Sequence, residues 1–176
     1  MARSLLDDAF AHHVWATLRV IDACADLTPE QLASEAPATF DSIIETLRHI
    51  VASEAFELCV VQGEVSPDVE TDRLDLPELR EMIVASGAGW LELVRKAPDP
   101  EAVLREVDPG DGYQRDAPMG LRLAHALHHA GDHRRQVCSA LSLLGIEPPR
   151  ISVWDFGVET GRVVEVYHSI GSRRRT

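Results

Sequence analysis

The sequence predicts an all-α four-helix bundle, and three observations carry that expectation. Apolar residues recur at three- and four-residue steps through four long stretches. Capping residues stand where those stretches begin, and glycine or proline where they end. The stretches alternate with polar, proline-bearing segments that suit connections, as in a bundle of helices of about 20 residues. No internal repeat interrupts this order, and one domain over 1–176 is expected.

The first helix is expected over Ser4 to Ala25, with Leu6, Phe10, Val14, Leu18 and Ile21 as its apolar stripe. Thr28, Pro29 and Gln31 then form a capping box for a short helical turn, followed by a loop from Ser34 to Phe40. Ser42 and Glu45 form a second box opening a helix that ends at Gly63. The polar segment from Glu64 to Leu76 connects to a third helix, which begins around Asp75 and stops before Pro98. Gly87 and Gly89 inside that helix either weaken it or permit close packing.

Between Pro98 and Gly120 the period changes. Residues Ala102 to Val107 and Tyr113 to Asp116 read as a short β-hairpin around the turn residues Asp108 to Gly112. The fourth long helix runs from Leu121 to Leu144 and is closed by Gly145 and Pro148-Pro149. Val153 to Gly157 suggests one more short helix.

Charge and cysteine usage exclude several functions. With 17 basic and 29 acidic residues the net charge is −12, which repels phosphate backbones and argues against nucleic-acid binding. Arg173 to Arg175 reads as a solvated terminus. No apolar run reaches the roughly 18 residues a bilayer needs, and acids occupy the position of a signal peptide's apolar stretch. Cys24, Cys59 and Cys138 are odd in number and lie among apolar neighbours, so a cytoplasmic protein without disulfides is expected.

Histidine spacing carries the functional reading. His129 and His133 are one turn apart on the fourth long helix, so both imidazoles project from one face. His49 sits in the second long helix among Glu45, Thr46, Ser53 and Phe56, a mixture that suits a cavity wall. Three neutral imidazoles with an open fourth position make a catalytic-type divalent site, whereas a closed structural site favours cysteines. His128 points about 100° away from His129 and is expected at the surface. His125 either lines the site or is a satisfied, partly buried side chain. Asp132 and Arg134 are expected to be solvated charges.

Three segments together resemble the DinB-like family. One is the run from His128 to Gln136 followed by Leu141, Leu144-Gly145 and Pro148-Pro149. The second is Ala11 to Ala16 leading to Leu32, and the third is Ser42 to Ile50 with Glu54 beyond. Val153 to Gly157 and Thr160 to Arg162 match the endings of one branch. The resemblance implies an up-down-down-up bundle whose metal ligands are His49, His129 and His133, binding zinc, nickel or a similar ion. Known members include a mycothiol-dependent maleylpyruvate isomerase and bacillithiol S-transferases. Asp132 and Arg135 depart from the commonest pattern, where a second adjacent His and a Gly stand.

The resemblance places first a thiol-dependent S-transferase or isomerase that uses a low-molecular-weight thiol on a small electrophile. The alternatives are a metal-dependent hydrolase, with Glu45 or Glu54 as its carboxylate base, and a non-catalytic metal or small-ligand binding protein of stress response. His12 or His13 is the candidate first-helix contribution to thiol orientation, with structural packing as the other reading of either. A homodimer is expected from Trp15, Trp154 and Phe156, aromatic residues to spare outside the core.

Overall fold

Local signals set the helix boundaries. The computed structural model describes residues 4, 6–36, 39–64, 71–107 and 112–167. Helix α1 spans Asp7–Ala23, shorter at both ends than the expected Ser4 to Ala25. The turn α2, Pro29–Leu32, carries the full Thr28–Gln31 capping box. Helix α3, Ile43–Gln62, starts on Ser42, whose side chain accepts from the Glu45 N–H. The reciprocal half of that box is replaced: the Ser42 N–H donates to Asp41 Oδ1, and Glu45 instead pairs with Arg48 at 2.7 Å.

A 3₁₀ turn, Thr71–Arg73, leads into α4, Leu76–Arg95, which opens on a complete Asp75–Glu78 box. Strands β1 (Val103–Val107) and β2 (Gln114–Pro118) form the expected antiparallel hairpin, with Arg105 opposite Asp116. The turn expected between them lies at 108–111, outside the described residues, as do parts of the loops at 37–38 and 65–70 and the Arg173–Arg175 cluster. Helix α5, Met119–Leu143, follows the hairpin directly, and α6 is Val153–Glu159. The Met119 and Gly120 N–H groups bond the Ala102 and Pro100 carbonyls at 2.8 and 2.9 Å, fastening the start of α5 to the hairpin. Among the described residues no helix is long and apolar enough to cross a membrane.

Paired residues fix the direction of each long helix. Phe10 stacks on Trp90 and Asp22 pairs with Arg80, so α1 and α4 are antiparallel. Arg48 meets Leu74 while Leu58 meets Gly89, so α3 and α4 run together. His49 meets His129 while Glu57 meets Arg122, so α3 and α5 are antiparallel. The chain is therefore an up-down-down-up bundle in which each long helix packs against two others. Gly87 and Gly89 permit the approach: a Cβ there would stand 2.8 Å from Val14 Cγ1 and 2.6 Å from Leu58 Cδ2.

Two apolar clusters fill the bundle, one around Leu47, Ile50, Ile83 and Leu141, the other around Phe10, Trp90 and Leu123. On α1 and α3 a buried polar network falls between them. Glu54 accepts from Trp90 Nε1 at 2.6 Å and from His13 Nε2. Arg134 donates through Nη1 to Thr17 Oγ1 at 2.8 Å and reaches His13 Nδ1 at 3.3 Å. The two His13 contacts assign its proton to Nε2.

The structure corrects the expectation of a solvated Arg134, which is only 5% exposed. Burial lowers its pKa to about 10, with the Glu54 carboxylate opposing that shift. A buried guanidinium is tolerated because its donors are met by Thr17 and His13 and its charge by Glu54. The aromatic residues expected to be spare are also largely used within the chain. Phe156 is buried, and Trp15 packs on it at 5.5 Å and donates to Glu159. Trp154, 73% exposed, remains at the surface.

Replacing Glu54 by Ala removes the carboxylate that meets Trp90 and His13 and leaves Arg134 buried without its countercharge. The expected loss is about 3–5 kcal/mol of unfolding free energy, read by equilibrium denaturation in urea. A loss below about 1 kcal/mol would show that the network is peripheral to stability.

Candidate metal centre

The antiparallel contact of α3 and α5 sets one His of α3 against two of α5. His129 and His133 stand one turn apart on α5, and His49 faces them. His129 Nε2 lies 3.1 Å from His49 Nε2 and 3.2 Å from His133 Nε2. Each of the three rings offers a nitrogen within 4.8 Å of the others, so the group can hold a metal ion. Nitrogens ~2.0–2.1 Å from a tetrahedral ion would stand roughly 3.3–3.4 Å apart, close to the observed spacing.

The tautomer of His133 follows from its neighbour. His133 Nδ1 lies 2.9 Å from Gln136 Oε1, an acceptor, which assigns the ring proton to Nδ1 and leaves the Nε2 lone pair free. Gln136 Oε1 also accepts the Phe40 N–H at 3.0 Å, tying α5 to the loop before α3. Phe40 stacks on His49 at 4.2 Å and meets His133 edge-on at 5.3 Å, closing one side of the cluster.

The other side opens to a cavity of about 820 Å³, whose wall includes His49, His129, Ser53 and Phe56. Its far end is built by Glu57, Arg122, Glu106 and Arg115 of β2, with His125 of α5 between the two ends. Strand alternation turns Glu106 inward, where Arg122 bonds it.

Burial and mutual repulsion favour the neutral form of His129 and His49. The His129 pKa falls to about 4, first through burial and then through the charges that His133, His49 and His125 would carry. His49 is lowered by the same two causes. Neutral imidazole is the form that ligates a metal.

The structure brings together His49, His129 and His133, the three residues expected to converge, and leaves His128 exposed. His125 lines the cavity with its side chain 56% exposed. On the first helix the packing reading holds for both histidines. His13 is buried in the polar network and His12 donates to the Ile151 carbonyl at 2.9 Å, so neither lines the cavity. Glu45 and Glu54 are likewise engaged elsewhere, the first by Arg48 and the second by Trp90 and His13.

Sequence reading missed Gln136 and Glu57. Both were recoverable from helical spacing: Gln136 is three residues after His133, and Glu57 follows Ser53 on the stripe that begins at His49.

Three convergent imidazoles on facing helices, open to a cavity, define a histidine-triad helical bundle. The sequence model of the DinB family matches residues 1–160, which include every long helix and all three histidines. The chain belongs to the DinB family. No curated protein matches it by sequence.

The depressed His129 pKa has a stability consequence for metal-free protein. An unfolded His titrates around 6.5, so between that value and about 4 the unfolded chain binds more protons than the folded one at this site. The contribution of this site to stability is therefore full above pH ~6.5 and is lost as pH drops toward 4. Thermal unfolding of wild type and His129→Gln across this window reads that contribution as a difference: the wild type should lose stability relative to the variant as pH drops from ~6.5 to about 4. An unchanged slope in the variant would contradict the assignment.

Proposed function

We propose that His49, His129 and His133 hold one divalent transition metal, zinc or nickel, and that the protein uses it in thiol-dependent S-transfer or isomerisation of a small electrophile. The observation that carries this reading is the one-sided opening of the triad. Phe40 covers one side, while two of the three histidines form the wall of a cavity of small-molecule size. A divalent ion held there lowers the pKa of a thiol at its open side, so that the thiol reacts as thiolate near neutral pH.

The chain's own residues supply the rest. His133 is held in its ligating tautomer by Gln136, and His49 is held in plane by Phe40. Phe56 gives the cavity an apolar wall that suits the body of an electrophile. The thiol comes from solution. Burial pushes the Cys24 thiol up to about 12 and raises Cys59 and Cys138 as well, and none of the three lines the cavity. The thiol-dependent members of the family that the sequence resembles support the same choice.

Protein purified without a His tag should bind about one ion per chain, as open three-ligand sites do. His129→Ala and His133→Ala should abolish binding, His49→Ala should weaken it severely, and His128→Ala should leave it nearly intact. Gln136→Ala should weaken affinity by about 10–100-fold. Metal analysis and calorimetric titration read all five variants. A panel of thiols, including a sugar-linked cysteine thiol, assayed against an aryl halide or a bimane should then give metal-dependent turnover. Rates equal to the metal-free control across the panel would favour a metal-binding protein without transferase activity.

A further inference from the structure

The cavity has a second chemical group at its far end. Glu57 is on α3, eight residues beyond His49, which places its backbone about 12 Å further along the helix axis. Its side chain lines the same cavity as His49 and His129, yet the residue is only 8% exposed. Glu57 Oε2 is buried without a hydrogen-bond partner among the described residues. The nearest cation, Arg122 Nη1, stands 3.6 Å from that oxygen and is bonded instead to Glu106. His125 Nε2 approaches the other oxygen only to 3.7 Å. Oε2 is shut away from solvent, so the carboxyl meets the contents of the cavity through Oε1, and a shielded carboxyl so placed can exchange a proton there.

We propose that Glu57 is the proton donor to the electrophile, and that the substrates are therefore acceptors that must gain a proton, such as alkenes activated by a carbonyl. The assignment rests on the thiol-transfer reading above. The thiolate sulfur bonds to the β-carbon of the alkene as the carbon–carbon π pair moves to the α-carbon. That carbon takes the Glu57 proton. The proton released when the thiol became thiolate returns to the Glu57 carboxylate through solvent, so thiol plus alkene gives thioether with nothing left over.

The electrostatic surroundings agree. Burial raises the Glu57 pKa to about 7, with Glu106 of β1 and Glu54 of α3 adding to the rise and Arg122 of α5 opposing it. Arg115 of β2 also lines this end of the cavity, and His125 of α5 stands between it and the triad. Such a carboxyl is partly protonated near neutral pH, where a buried general acid is most effective.

The test compares Glu57→Gln with wild type, both loaded with zinc, using one thiol and two acceptors. An activated alkene must take up a proton, whereas an aryl chloride expels chloride and takes up none. The alkene-to-chloride rate ratio should fall about 100-fold or more in the variant, and the wild-type decline of alkene kcat above pH ~7 should disappear. Infrared difference spectra of metal-free protein should show a neutral-carboxyl band that titrates near pH 7 in wild type and is absent in the variant. Zinc affinity should match wild type within error, and melting temperature near neutral pH should not fall, because Gln removes a buried carboxylate. An unchanged rate ratio, or a wild-type spectrum without that band, would overturn the assignment. Wild-type inactivity with both acceptors would instead overturn the thiol-transfer reading, and the role of Glu57 with it.

Discussion

The burial of Arg134 constrains everything else in this bundle. Its guanidinium leaves α5 toward α1, where Thr17 and His13 receive it, and Glu54 of α3 supplies the opposing charge. Trp90 of α4 holds the other Glu54 oxygen. One network thus joins all four long helices through hydrogen bonds whose loss would leave charge in a low-dielectric interior. Rotation of α5 about its axis would break it. His133 is the residue before Arg134, so fixing one side chain inward fixes the other about 100° around the helix, toward α3. The triad is aimed by a contact that none of its members makes.

This division of labour gives α5 two functional faces. One carries Ala130, Arg134, Val137 and Leu141 into the core. The other presents His125, His129 and His133 to the groove against α3, with Gln136 bonded behind them. The cavity along that groove is chemically asymmetric. Imidazoles stand at one end, and a cluster of Glu57, Glu106 and Arg122 at the other. The acidic net charge of the chain has little bearing here, since screening confines surface charge to about 10 Å. The local field at the far end is set by the balance of Glu57, Glu106 and the buried Arg122 guanidinium.

Much of this was legible in the sequence because it is local. Capping residues, helical periodicity and the turn residues after α5 are short-range signals, and they fixed the element order and the hairpin before α5. The spacing of His129 and His133 is also local, and the cavity-like neighbours of His49 marked it as their partner. The misreadings all involve contacts between elements distant in the chain. Arg134 was expected in solvent because a charged residue is normally there, and its partners lie on α1 and α3, more than 70 residues away in sequence. His13 was a candidate to stand near the triad, but the register of α1 against α3 places it on Glu54. Glu57 gained its character from burial beneath β1 and β2, which no spacing rule on α3 reveals.

The central claim is that three Nε2 atoms hold one ion whose remaining side faces the cavity. X-ray absorption at the metal edge, on untagged protein with and without added thiol, tests it most directly. The account predicts a shell of three imidazole nitrogens at ~2.0–2.1 Å, joined by one sulfur at ~2.3 Å when thiol is present. A spectrum with fewer than three imidazoles, or one whose sulfur shell never appears, would contradict it.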